Sequence, residues 1–334
     1  MLCGAKTICL GSFLELPHGA LILDISCSLQ LIWNPFALIK IEHLCSYFMR
    51  GLKQWKAHLP DLKGNRILLV PFFWVLIIVS WNFSFLMSVF IPRNLRILGK
   101  IEPYLSMIVM IMASSFGMSF ASFGYLYRKG IIKRYRHKSY QIGLFLFMMA
   151  IGTVASLITS TLIPKSTNQS IGFFAKDPLN HLTHIFSVPI FTNLLYIRRI
   201  LSIFLLYIGA RTSLQCLRVF GIDNTLGTYI YFPEESNMIE HEIYGVIRNP
   251  MYLGFMIMAI GGSLFHFTIY SLFSSFCAIC CLCYLVYFLE EPELKNRYGS
   301  TFIDYCKTTP SFLIPPSKFD KYLRFLFTNP NKNE

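Results

Sequence analysis

The chain has 334 residues, 54% of them hydrophobic and 16% aromatic, with only 14% charged, against about 25% charged in an ordinary soluble domain. That composition excludes a soluble globular protein and points to a polypeptide built to lie in lipid. The formal charge of +13 would suit a nucleic-acid binder, but in so apolar a chain it reads more simply as the positive-inside bias of cytoplasmic loops, so no nucleic-acid partner is expected.

The first apolar patch, GALILDISCSLQLIWNPFALI (19–39), is interrupted by Asp24, Gln30, Asn34 and Pro35. It reads as interfacial, and it lacks the basic start, apolar core and small-residue cleavage pattern of a signal peptide. With the basic stretch from Lys40 to Arg66 it makes an N-terminal cytoplasmic or interfacial segment, 1–66. Residues 67–210 are read as a block of transmembrane helices. Crossing a hydrocarbon core of roughly 30 Å takes about 20 largely apolar residues, and the runs 67–91, 104–127 and 140–163 satisfy this cleanly.

Charge fixes the orientation. The loop 128–138 carries Arg128, Lys129, Lys133, Arg134, Arg136 and Lys138, which places it in the cytoplasm. Alternation then sets 164–183 outside and both 211–251 and 290–334 inside. The outer loop holds a glycosylation sequon, Asn168-Gln169-Ser170. It also holds His181 and His184, one helical turn apart but with no second ligand pair nearby, so they read as polar interface residues. In 184–210 the pair Arg198 and Arg199 interrupts the apolar run. Arginine within a span is costly and tends to snorkel to an interface. The span is therefore expected after the pair, with 185–197 re-entrant or interfacial and the arginines at the outer edge.

The apolar block 252–289 is too long for one span and reads as a two-helix hairpin turning near His266 to Ser271. The expected fold is all-α, a multi-pass transmembrane helical protein of about six spans. Cys277, Cys280, Cys281 and Cys283 crowd together in CAICCLC, but helical spacing points them in several directions, and free cysteine in a span behaves as a small hydrophobe. No metal site is expected from them. No internal repeat is evident, whereas many transporters are built on inverted repeats with paired broken helices.

Chemistry concentrates at the two flanks of the hairpin, HEIYGVIRNPMYLG (241–254) and EEPELKNRYGSTFIDYCKTTPSFLIP (290–315). A chain that enters the membrane at Tyr252 and returns at Leu289 places Arg248, Asn249 and Tyr252 at the same interface as Glu290 and Glu291. Pro250 is tolerated in a first helical turn, where its missing N–H would lack a partner anyway, and Asn249 can then act as the cap. Arg248 stands just outside, a planar guanidinium suited to bidentate recognition of carboxylate or phosphate. Glu291 with Lys295, and Glu293 with Arg297, have the spacing of helical ion pairs. Adjacent acids at the foot of a span oppose the macrodipole's preference for cations at a helix C-terminus, which marks Glu290 and Glu291 for function.

These flanks resemble the integral-membrane methyltransferases that include isoprenylcysteine carboxyl methyltransferases and phospholipid methyltransferases. The resemblance lies in Arg248-Asn249-Pro250-Met251-Tyr252-Leu253-Gly254, the hairpin, Glu290-Glu291-Pro292, Leu294, Tyr298-Gly299, Phe302, Tyr305, Pro310 and Pro315. It covers roughly 211–315, the expected methyltransferase core, and leaves 316–334 as a polar C-terminal tail. It implies S-adenosylmethionine bound on the cytoplasmic side against the hairpin, a membrane lipid or lipid-linked acceptor entering laterally, and no metal. Its implied cofactor-binding residues are Arg248 and His241 near the polar ends, Tyr244 and Tyr252 in packing, Glu290 or Glu291 on the ribose or ammonium, and Asn249 within the same motif. No catalytic base is identifiable. The isoprenylcysteine branch usually has histidine where Asn249 stands, and glycine is common where Glu242 stands. Asn249 and Pro292 look more like the phospholipid branch, so a phospholipid-type head group is the expected acceptor. Carboxyl methylation of an isoprenylcysteine is the alternative, and a non-enzymatic transporter or scaffold is the alternative of another class.

Overall fold

In a computed structural model of the chain, the residues described are 52–59, 61, 67, 69–94, 102–163, 189–235 and 238–327. The 19–39 patch, the sequon, His181 and His184 lie outside them. In chain order the helices are α1 (Leu52–Ala57), α2 (Leu69–Asn94), α3 (Glu102–Leu126), α4 (Arg128–Tyr135), α5 (Ser139–Ser160) and α6 (Pro189–Phe220). They are followed by the short α7 (Ile222–Thr225) and α8 (Thr228–Tyr231), then α9 (Pro250–His266), α10 (Ile269–Tyr284), α11 (Glu291–Tyr298), α12 (Ser300–Thr308) and α13 (Phe319–Phe327).

No strand occurs among the described residues. Among the described residues five stretches are long and apolar enough to cross a membrane: Leu69–Ser88, Tyr104–Leu126, Ser139–Ser160, Leu194–Phe220 and Ile269–Tyr298, with α9 a sixth, shorter apolar helix. The protein is therefore a multi-pass helical membrane protein, as its composition requires.

One expected boundary is corrected. The helix α6 runs without a break through Arg198 and Arg199, so 189–197 belongs to it and is not a separate re-entrant piece. A helix satisfies its backbone internally, so a cation need not end it. Arg198 is buried and turns inward, where its guanidinium lies 5.5 Å from the Phe267 ring and 3.5 Å from the Phe265 carbonyl. Arg199 is exposed. The arginine expected to snorkel instead braces the hairpin turn. That turn falls at Phe267–Thr268, within the expected interval, with Phe267 in the left-handed region and a reciprocal capping box between Thr268 and Ser271.

The helices α6 and α9 pack antiparallel through small residues. Gly209 faces Gly254, and Ser202 donates to the Gly261 carbonyl at 2.6 Å. In lipid there is little hydrophobic reward for helix association, so close backbone approach of this kind has to supply it. The N-terminus of α9, which carries Asn249 and Tyr252, is positioned by this contact.

Two contacts order the ends of the bundle. At one end His266 at the hairpin turn lies 3.0 Å from the Leu162 carbonyl after α5. At the other, Arg128 of the basic helix α4 pairs with buried Glu293, which also holds Arg297 at 2.9 Å. The basic segment 128–138 and the segment after the hairpin therefore share one end of the molecule. On that end α8 is fixed by Tyr231, whose ring sits so close that a Cβ at Gly143 of α5 would lie 2.0 Å from it. The helix α13 docks on α6 through Tyr322 to Thr212 at 2.7 Å and through the Leu326 carbonyl, which accepts from Arg211 at 3.0 Å.

Candidate functional site

The two flanks of the hairpin meet as their sequence suggested, by a mechanism only partly visible in it. Pro250 occupies the first turn of α9, but the Asn249 side chain makes no capping bond. It donates instead to Ser311 Oγ at 2.9 Å and Glu291 Oε1 at 3.4 Å. Backbone bonds from Arg248 N to the Pro310 carbonyl (2.9 Å) and from Asn249 N to the Ser311 carbonyl (3.2 Å) lay the returning chain alongside the motif.

Arg248 is the centre of this cluster. Its Nη2 and Nε donate to Glu291 Oε1 at 2.8 and 3.3 Å, and its Nη1 donates to the carbonyls of Cys306 (3.1 Å) and Thr309. Ser311 Oγ donates to the same Glu291 oxygen at 3.2 Å. Glu291 is thus held through Oε1, while Oε2 takes no bond among the described residues. The helical pair expected between Glu291 and Lys295 gives way to this tertiary one, whereas the pair between Glu293 and Arg297 forms.

Glu290 and Glu291 are not at a helix C-terminus. The chain continues from α10 through a π-helical turn, Leu285–Glu290, into α11. Pro292 has no N–H, and its ring would collide with the carbonyl four residues back. The wide turn relieves that collision, with Glu291 N reaching the Val286 carbonyl. Single π turns recur at functional sites. Here the two acids point to different surroundings. Glu290 is buried and accepts on Oε1 from Tyr252 and, at 3.2 Å, from Tyr125 of α3. Tyr229 of α8 closes the group, its hydroxyl 2.8 Å from that of Tyr125.

Burial, with Glu290 alongside, holds the Tyr229 phenol well above its ordinary range, and burial does the same for Tyr244. Both phenols stay protonated at neutral pH and remain able to donate. Tyr244 packs against Phe220 with ring centroids 5.9 Å apart, and its carbonyl accepts from Tyr305 Oη at 2.6 Å. His241 is exposed at the start of the turn Glu242–Gly245; its carbonyl accepts from Tyr244 N at 3.1 Å, and its side chain makes no hydrogen bond among the described residues. Of the residues singled out from sequence, Arg248, Asn249 and Glu291 form one cluster and Tyr252 with Glu290 another. Tyr244 packs nearby and His241 stands apart. Sequence reasoning missed Tyr125, Tyr229 and Ser311. A tyrosine at the end of a span reads as part of an interfacial aromatic belt, so Tyr125 carried no distinguishing signal.

Glu242 has φ +52°, a conformation that costs an L-residue with a Cβ roughly 1–2 kcal/mol. Glycine, common here in the resembling families, relieves it. Because glycine also loses more entropy on folding, Glu242→Gly should raise stability by a net of about 0.5–1 kcal/mol. Thermal melting in detergent checks this, and a lower melting temperature would contradict it.

Residues 197–301 match the family model described as phospholipid methyltransferase. No curated protein and no solved structure matches the chain. The match bears out the resemblance to integral-membrane methyltransferases, and it contains α9, the hairpin, both acids and Tyr229. Tyr125 lies outside it.

Proposed function

We propose that this protein transfers a methyl group from S-adenosylmethionine to the amine of a phospholipid head group at the cytoplasmic face of a membrane. A membrane methyltransferase acting on lipid is what the family match supports, and it implies a methyl donor. The observation that carries the finer reading is Glu291, fixed through one oxygen by Arg248, Asn249 and Ser311 with the other oxygen unbonded among the described residues. Such an immobilised carboxylate suits the ribose diol or the ammonium of S-adenosylmethionine. The donor, when bound, supplies an activated methyl on sulfonium. Arg248 positions Glu291 and the returning chain, His241 is exposed for a polar end of the donor, and Tyr244 and Tyr252 supply packing. Methyl transfer from a sulfonium needs mainly alignment and exclusion of water, which a site set between helix ends and a folded-back segment supplies.

The acceptor is tested with membranes containing the protein, incubated with methyl-labelled S-adenosylmethionine, extracted and treated with mild base, with Glu291→Gln as the blank. Base-stable label in the lipid fraction is expected. Volatile, base-labile label would identify a carboxyl methyl ester and overturn the head-group reading.

The basic helix α4 and the Glu291 cluster share an end of the molecule, and the positive-inside bias sets that end in the cytoplasm. Single cysteines at Lys133 and Lys307 should both react with an impermeant thiol reagent from the cytoplasmic side alone. Reaction from the opposite side would reverse the orientation.

A further inference from the structure

The helix α4 carries cations that the Glu291 cluster does not use. It begins two residues beyond the span Tyr104–Leu126, so its eight residues, about 12 Å long, lie at the boundary of the membrane. Arg128 is taken up by Glu293. Lys129, Lys133, Arg134, Arg136 and Lys138 are exposed and make no ion pair among the described residues. The sequence has no acid between Glu102 and Asp177, so nothing nearby in the chain neutralises them. Arg136 is held at φ +44°, where a glycine would be unstrained and a residue with a Cβ is not.

The helix is also sided. Ile131 is buried in the core cluster that holds Tyr125 and Tyr140. Ile132 and Tyr135, three apart and so on one face, are exposed. By helical spacing Lys129 and Lys133 flank that stripe on one side and Arg134 on the other, the last with its guanidinium 5.7 Å from the Tyr135 ring. An apolar stripe rimmed by Lys and Arg is the pattern of a helix lying in the head-group layer. An orientation signal alone needs the charge and no such stripe. We propose that α4 is a docking surface for net-anionic phospholipids of the surrounding leaflet, whose phosphates meet Lys129, Lys133, Arg134 and Arg136 while the upper acyl region covers Ile132 and Tyr135. Position selects a lipid over a soluble polyanion, because exposed Leu126 and Tyr127 end the span directly before Arg128 and leave the cations at head-group depth. Charge selects an anionic lipid over a zwitterionic one. The acid paired with α4, Glu293, is buried and already holds Arg128 and Arg297, so an ammonium-bearing head group finds no free carboxylate beside these cations. The surface is separate from the acceptor chemistry above and stands whichever lipid is methylated.

The test uses the purified full chain in detergent, titrated with short-chain phosphatidylglycerol, short-chain phosphatidylcholine and a single-stranded oligonucleotide. Wild type should bind the glycerol lipid about tenfold or more tighter than the choline lipid at low salt, since each Lys or Arg near such a surface is worth about fivefold. That preference should collapse as ionic strength rises from about 0.01 M to about 1 M, where the screening length falls from about 30 Å to about 3 Å. Lys133→Gln combined with Arg134→Gln should remove about tenfold or more of the glycerol-lipid affinity. Lys307→Gln combined with Arg324→Gln removes the same charge from cations that already face Asp304 and Asp320, and should stay within about twofold of wild type. Ile132→Ser combined with Tyr135→Ser keeps every cation and the orientation signal; it should lose about fivefold of the lipid affinity and bind the oligonucleotide as wild type does. Equal binding of the two lipids by wild type, unchanged affinity in the folded Lys133 and Arg134 variant, or an equal loss in the charge-matched control would overturn the proposal. Oligonucleotide bound more tightly than the glycerol lipid, with lipid binding indifferent to the Ile132 and Tyr135 changes, would assign the surface to a soluble polyanion and overturn it as well.

Discussion

Arg248→Ala and Glu291→Gln should each lower the affinity for S-adenosylmethionine by about a hundredfold or more, since losing a charge-assisted bond typically costs a few kcal/mol. The two variants fail differently. Arg248→Ala also removes the bonds to the Cys306 and Thr309 carbonyls and strands Glu291, whose side chain is only 18% exposed. Breaking such a largely buried pair costs roughly 3–5 kcal/mol, so its melting temperature should fall too. Glu291→Gln keeps the volume and an acceptor for Arg248 while losing the charge, so its fold should survive. Arg248→Lys should resemble the alanine variant, because an ammonium cannot reach Glu291 and two carbonyls in one plane. Calorimetry on folded Glu291→Gln is the decisive measurement, and unchanged affinity there would remove Glu291 from the donor site.

Gly254→Leu should prevent assembly of the native bundle. A Cβ at Gly254 would lie 2.4 Å from Ser213 Oγ, 2.8 Å from the Gly209 carbonyl and 3.0 Å from the Ser213 backbone nitrogen. Two of these three atoms are backbone, so the clash cannot be relieved by a rotamer. Overpacking in a soluble core costs about 1–3 kcal/mol, occasionally more. Here the cost falls on a helix pair that depends on close approach, since separated helices find lipid as apolar as each other. An effect at or above the top of that range is expected, with Gly209→Leu the same, as its Cβ would lie 2.6 Å from the Gly254 carbonyl. Unfolding in mixed detergent checks it, and a wild-type transition in Gly254→Leu would show that the contact is dispensable.

Much of the architecture was legible because lipid imposes long apolar runs. The spans in 67–91, 104–127 and 140–163 and the hairpin turn near 267 appear where composition set them. The reading failed where a partner distant in sequence decided the outcome. Arg198 looked like an interruption because its binding surface, the ring of Phe267, becomes adjacent only after the hairpin folds. Asn249 looked like a cap, but Ser311 and Glu291 compete for its amide. The acids were recognisable as a pair from spacing alone. Their different surroundings were not, because these depend on a π turn and on tyrosines contributed by α3 and α8.

The bonds from Arg248 to the carbonyls at 306 and 309 also bear on biosynthesis. While the hairpin is in the bilayer and the segment beyond 305 has not yet folded back, the guanidinium has Glu291 but neither carbonyl, Asn249 has no Ser311, and Thr212 has no Tyr322. The cluster therefore matures on the membrane surface, after insertion is over, as the emerging segment folds back along 248–249. A chain can be fully integrated and still lack this cluster, so quality control that monitors span insertion alone would pass molecules in which Arg248 and Glu291 are not yet fully enclosed.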